Sequence, residues 1–513
     1  MSTFKKISRA GSPGVRLPAA VPSGNGGPAA APNFLARFGG PAGLPLKLST
    51  LLSCRRNRSM TDPLLRAPFR TVLTQFRDGT LSPVEYMERF LERIAEREPV
   101  VGAFKFLDTQ RLREAAAASA ARYRDGASAG PLDGIPVGIK DIIETADMPT
   151  GFGSPAFDGT RTGRDAACVA ALRRAGAIIA GKTVTTEFAF GFSGATRNPH
   201  DPERSPGGSS SGSAAALGAC MLPLALGTQT QGSMLRPASF NGVVGFKPSF
   251  GTVTLGGVHP VSSSHDHLGF FGHHMEDAWQ LAAIVSAGAG AAGGHAGLPD
   301  YAPDWTAAAL APRRLIRLHL RAWDEVADAD RATMNGLVDA LRERGVEIVD
   351  RHNDKRVAEV EALLDREIDG SLEMLAYEMR FPYTDYVARH GELIGERVRG
   401  MVEKSPSITN EAYRSLLAAR ADAQRRVTAL LDDARADGFV MPAAAGAAPR
   451  GLAYTGSRMH LAYWSWLGFP AVSLPLMRAE GLPWGLQVMH CMQRDAQLCT
   501  LARWFEQCFP ILR

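Results

Sequence analysis

The sequence predicts an α/β protein: one large domain in which a sheet is covered by helices on both faces. Three observations lead there. Between about residue 81 and residue 290, stretches with helical spacing alternate with short apolar runs, as strands buried on both faces require. No internal repeat or long linker divides the 513 residues. Hydrophobic residues make up 45% and charged residues 21%, enough apolar surface for a sizeable core.

Residues 1–59 stand apart. They are rich in Pro, Gly and Ala, carry nine Lys or Arg and no acid, and are read as a disordered basic extension, with Met60 as an alternative start. Without them the chain has 48 basic against 52 acidic residues. That mildly acidic body lacks the basic stripe that neutralises phosphates, so no nucleic-acid partner is expected. The first ordered element is "LSPVEYMERFLERIAEREP", where Ser82 caps a helix, Pro83 suits its first position, Glu85 completes a capping box and Pro99 closes it. Val84, Met87, Leu91 and Ile94 recur at helical spacing. "GIPVGIKD" reads as a short strand ending on Lys140, and "DAACVAALRRAGAIIAGKTV" as a helix, a break at Gly176 and a strand. "AAALGACMLPLALG" reads as a helix-like apolar run. Phe188, Phe190 and Phe192, at period two, suggest a core-facing strand. From about 321 to 437 long amphipathic helical patterns take over with few strand signals, a helical insertion on the substrate side. "GFVMPAAAG" and "FPAVSLPL" then return to the sheet.

The chemistry sits in the polar stretches between these elements. Six cysteines without CxxC spacing provide neither a zinc site nor a disulfide framework, which fits a reducing cytoplasm. The longest charge-free run, 205–235, is too rich in Gly, Ser, Thr and Gln to span a membrane. Its first part, "PGGSSSGS", lacks the lysine of a phosphate loop. Ser209 and Ser233 lie 24 residues apart in this run, and a serine nucleophile needs a base. His259, His265, His267, His273 and His274 cluster downstream, yet neither GxSxG match follows a clear strand, so these are read as polar surface or loop histidines. Lys140 is the other choice. An exposed lysine, with a pKa of about 10.4, is neutral only about once in a thousand near pH 7.4, so it acts as a base only where burial removes its charge. A strand-end lysine paired with Asp141 or Glu144 is the plainer alternative.

Together, "GIPVGIKD", "TRNPHDPERSPGGSSSGSAAA" and "LGTQTQGSMLRPASFNGVVGFKPS" resemble the amidase signature family of serine amidohydrolases, from about Leu81 to the C-terminus. The resemblance implies a central mixed, twisted sheet and a triad of Lys140, Ser209 after a cis peptide, and Ser233 as nucleophile. It implies an oxyanion hole from Thr230, Gln231, Gly232 and Ser233, with no metal or organic cofactor. Gly207 and Gly208 would shape the catalytic turn beside Ser210. Arg236 would anchor the oxyanion turn through carbonyls, and Asp266 would support it. Phe192, Ser193 and Tyr463 are candidates for contact with a small-molecule amide, although Tyr463, Trp464 and Trp466 also suit a core. The chain departs from the common DTGGSIR pattern at Gln229, Gln231, Met234 and Leu235, with Arg236 one position late; Ser211 and Asn241 also differ. These changes bear on substrate preference more than on catalysis. The implied function is a cytoplasmic amidase releasing a carboxylate and ammonia or an amine, possible as a homodimer and without membrane attachment. A glutaminase-type subunit of a tRNA-dependent amidotransferase and a non-catalytic binding protein on the same scaffold are the alternatives.

Overall fold

A computed structural model describes residues 62–191 and 193–510. The expectations about residues 1–59 and Phe192 lie outside these residues. Among the described residues, eleven strands, β1 (Phe104–Phe106), β2 (Pro136–Lys140), β3 (Ile178–Thr183), β4 (Leu224–Gln229), β5 (Val244–Lys247), β6 (His267–Gly272), β7 (Arg314–Arg317), β8 (Glu347–Val349), β9 (Phe439–Pro442), β10 (Ala471–Ala479) and β11 (Leu482–Met489), form one mixed sheet in the order β1-β3-β2-β4-β6-β5-β10-β11-β9-β7-β8. The strands nearest the site are β2 (Pro136–Lys140), β3 (Ile178–Thr183), β4 (Leu224–Gln229) and β6 (His267–Gly272). β2 runs parallel to both β3 and β4, and β4 runs antiparallel to β6.

The period-two rule of a strand shows how the sheet is covered. In β4, Leu224 and Leu226 enter one hydrophobic cluster while Ala225 enters the other. In β9 (Phe439–Pro442), Val440 faces the first cluster and Phe439 and Met441 the second. Helix Met275–Ala289 contributes Trp279, Leu281 and Val285 to the first side. Helices Pro83–Val101 and Asn410–Asp433 contribute Met87, Leu91, Val427 and Leu431 to the second. Helices thus cover both faces of a mixed sheet, as predicted. Among the described residues, no helix is long and apolar enough to cross a membrane.

Local signals worked at the first long helix, where Ser82 and Glu85 form the capping box with Pro83 in the first turn. Its end differs from expectation. Pro99 sits inside the last turn, and the helix stops at Val101, where Gly102 takes φ +60 and donates to the Glu98 carbonyl at 2.9 Å. A proline in the final turn forfeits one hydrogen bond, while the left-handed glycine ends the helix.

Three further readings need correction. The run 214–227 is a helix only to Gly218; Cys220 turns at φ +58 and β4 follows. Phe188 is not in a strand but in a tight turn at φ +47, because its ring packs against His259, Tyr383 and Tyr386. Tertiary packing overrides the period-two pattern there. Within 321–437, Glu347–Val349 forms β8, an edge strand parallel to β7 (Arg314–Arg317).

Helix Ser211–Gly218 begins against the β3 end, and Gly212 makes that approach possible. A Cβ there would meet Ala103 O at 2.2 Å and Val184 N at 2.3 Å. Both are backbone atoms with little room to yield. Gly212→Ala should destabilise the protein by about 1–3 kcal/mol or more, read as a lowered Tm.

Candidate active site

Lys140 ends β2 and is fully buried. Its Nζ lies 2.8 Å from Ser209 Oγ and 2.7 Å from Thr228 Oγ1, the latter on adjacent β4. The acids that could have paired with it are engaged elsewhere. Asp141 pairs with buried Lys182 at 3.0 Å, and Glu144 with Arg164. Burial therefore drives the Lys140 ammonium well below the usual lysine range, opposed only in part by the field of Asp266. With two hydroxyl contacts and no carboxylate partner, the site favours the neutral amine.

The Gly208–Ser209 peptide is cis. Gly207 takes φ +77, and a Cβ there would lie 2.9 Å from the Phe240 ring and 3.1 Å from Pro237 Cα. Gly207→Ala is expected to cost about 1–3 kcal/mol by combining a left-handed backbone with this crowding, measurable by denaturant unfolding. Arg236 anchors this turn rather than the one around Ser233. Its guanidinium donates to Gly208 O at 2.6 Å, Thr455 Oγ1 at 3.2 Å and Ser457 O at 3.1 Å. Burial lowers its pKa to about 10, which leaves it charged at neutral pH.

The second serine sits in the turn between β4 and helix Leu235–Asn241. Gln229 shapes that turn: its Oε1 accepts from Met234 N and Leu235 N at 2.9 and 3.1 Å, and its Nε2 donates to Ser465 Oγ. Ser233 O accepts from Ser210 N at 3.1 Å, and Ser209 O from Thr186 N at 3.2 Å, which ties the two serine turns together. Among the described residues, the N–H groups of Gln231, Gly232 and Ser233 donate to no protein acceptor. Asp266 secures the rim: Thr230 Oγ1 donates to it at 2.6 Å and the N–H groups of Val261 and Ser262 at 2.7 and 3.0 Å. Burial raises its pKa to about 6.

A cavity of about 340 Å³ opens over these turns. Ser209, Thr230, Gln231, Ser233 and Arg236 line it, as does the expected Ser193. The hydroxyls of Ser209 and Ser233 share its wall without a hydrogen bond between them. Tyr463 does not reach it. That side chain is buried in the core and donates to Asp365 at 2.7 Å, so its expected substrate contact fails. Of the histidines read as surface or loop residues, His259, His265 and His273 do lie in loops and His267 in β6, but all four are buried. None of them lines the cavity; His265 bonds Ser262, and His267 bonds the His265 carbonyl. Sequence reasoning missed Thr228, whose only signal was its place four residues after the start of a strand, and the cavity residues Arg397 and Arg458.

The Amidase family model matches residues 85–499. The glutamyl-tRNA(Gln) amidotransferase A-subunit from Symbiobacterium thermophilum is 46% identical over 218 residues, 41% of this chain and 45% of that protein. Its namesake from Rhodopirellula baltica is 37% identical over 292 residues, 54% of this chain and 58% of its own. The chain thus matches about half the length of these curated relatives. Among solved structures, a crystal structure of an amidase superposes with a TM-score of 0.75 at 28% identity, covering 86% of this chain and 100% of that one. The native peptide amidase from Stenotrophomonas maltophilia does so with a TM-score of 0.68 at 28% identity, covering 86% and 96%. With most of its length matched by the family model and its fold shared with amidases of known structure, the chain belongs to the amidase family.

Proposed function

We propose that this protein hydrolyses a carboxamide C–N bond through an acyl-enzyme on Ser233. The observation that carries the reading is the fully buried Lys140 amine, 2.8 Å from Ser209 Oγ at the wall of a cavity that Ser233 also lines, where burial favours its uncharged form. Ser233 Oγ attacks the amide carbonyl as its proton passes to Ser209, whose own proton moves to Lys140. For this the Ser233 hydroxyl rotates onto Ser209 when substrate fills the cavity, since catalytic hydrogen bonds commonly tighten in the substrate complex. The oxyanion takes up the free N–H groups at Gln231, Gly232 and Ser233, with Thr230 completing the turn; one such donor is worth about 2.7–4 kcal/mol. Gln231 in place of glycine leaves these main-chain donors in position. The proton on Lys140 returns through Ser209 to the departing nitrogen, and the C–N bond breaks. Water then attacks the ester by the same relay and releases a carboxylate.

Trapping tests this directly. Rapid quenching during turnover should show an intact-mass increase equal to the acyl group, mapped by peptide analysis to Ser233. A label on any other residue would refute the assignment.

A second reading, the ammonia-supplying subunit of a tRNA-dependent amidotransferase, is favoured by the names of the curated relatives. It predicts glutaminase activity that rises with partner subunits, and co-purification with them from native cells. Isolation of an active enzyme without partners would count against it.

A further inference from the structure

Building on the amide-hydrolysis reading, we infer that the substrate carries a carboxylate, held in the same cavity by Arg397 and Arg458 beside the Gln231 side-chain amide. Three arginines line this cavity, and no Asp or Glu does. Arg236 spends its terminal nitrogens on Gly208, Thr455 and Ser457. The other two have capacity left. Arg458 Nη1 donates to Gln231 Oε1 at 2.8 Å and to Ser371 Oγ at 3.4 Å, while its Nη2 has no hydrogen bond among the described residues and lies 3.9 Å from Asp369, which already serves Arg321. Arg397, an exposed residue, lines the cavity 4.5 Å from the centre of the Phe190 ring, with no ion pair among the described residues. Glu396 and Glu403 of its own helix border a separate surface groove with it and form no ion pair to it.

These cations act on one another. Burial is the main force against charge on Arg236 and Arg458, and the field of Arg397 adds to it at both; Asp369 offsets part of this at Arg458, while no carboxylate lines the cavity itself. A bound anion would relieve that repulsion, and guanidinium forks match a carboxylate in shape and charge. Gln231 adds a second, independent sign. It is 92% buried, its Oε1 is fixed by Arg458, and its Nε2 has no acceptor. A buried donor without a partner is destabilising, and a ligand oxygen would relieve that cost. The same charge balance disfavours a ligand ammonium, since the wall offers it no acid.

The carboxylate can sit on the acyl side or on the leaving amine, so the test has both arms. Succinamate and glutaramate are compared with butyramide and valeramide, and N-acetylglycine with N-acetylmethylamine. In one arm at least, the carboxylated amide should be preferred in kcat/KM by about tenfold or more, with a KM that rises with salt. Arg397→Gln should reduce that ratio about tenfold, and Arg397→Lys should recover part of it. Glutarate should inhibit competitively, and less well in Arg397→Gln and Arg458→Gln. Equal turnover of neutral and carboxylated amides, or a ratio unchanged by both substitutions, overturns the inference. In that case acylation of Ser233 by a neutral amide leaves the hydrolysis reading standing. Absence of turnover and of any Ser233 adduct across the whole panel refutes both.

Discussion

Ser233→Ala is expected to lower amide turnover by roughly 10⁵–10⁶-fold, the loss seen when a nucleophile acting with its relay is removed. The main-chain N–H donors at Gln231, Gly232 and position 233, all kept in the variant, would still bind the carbonyl oxygen, so a small residual rate above water should persist. The fold should not change. Ser233 faces a cavity, its hydroxyl holds no hydrogen bond to the described residues, and alanine is smaller, so stability should stay within about 0.5 kcal/mol. Steady-state kinetics with a thermal melt of the same sample checks both halves. Full turnover by a folded Ser233→Ala protein would remove the nucleophile from the mechanism.

Lys140→Met should lose about 10²–10⁴-fold in kcat/KM at pH 7, the usual contribution of a positioned base. The deficit should narrow at pH 10, where hydroxide from solvent takes over part of the proton removal. Stability should move in the opposite sense. The folded-state pKa of Lys140 lies well below its unfolded value, so the unfolded chain binds the extra proton through the window between the two. Stability of the wild type therefore rises with pH across that window, up to the unfolded value of about 10.4. Methionine carries no such penalty at any pH. The Tm of Lys140→Met relative to wild type should accordingly be more favourable at pH 7 than at pH 10. A difference that is flat with pH would mean that Lys140 is charged in the folded protein, and the relay would fall with it.

Much of the site could be read from the chain because its parts are short and local. The capping box at Ser82 and the strand that ends on Lys140 depend on neighbours within a few residues, and the glycines before Ser209 were legible as a motif although Phe240, Pro237 and Thr455, distant in the chain, are what crowd them. The position of Arg236 was also legible, but not its target. It reaches back 28 residues to Gly208 and forward to Thr455 and Ser457, a choice made by the packing of three loops. Phe188 shows the limit from the other side. Its period-two pattern with Phe190 fits a strand, yet aromatic packing against His259 and Tyr386 holds it in a turn. Tyr463 fails for the same reason: a helix that could present its rings to the cavity or to the core presents this one to Asp365.

The order of motifs, the buried character of the Lys140 strand and the two serine turns were determined by sequence alone, since local backbone preferences and apolar burial act over a few residues. Only the tertiary structure decided that Thr228 would touch Lys140, that Asp141 would be taken by Lys182, and that Arg397 and Arg458 would line one cavity with Ser233. Those partners lie far apart along the chain, and the charge a group keeps depends on what surrounds it in space.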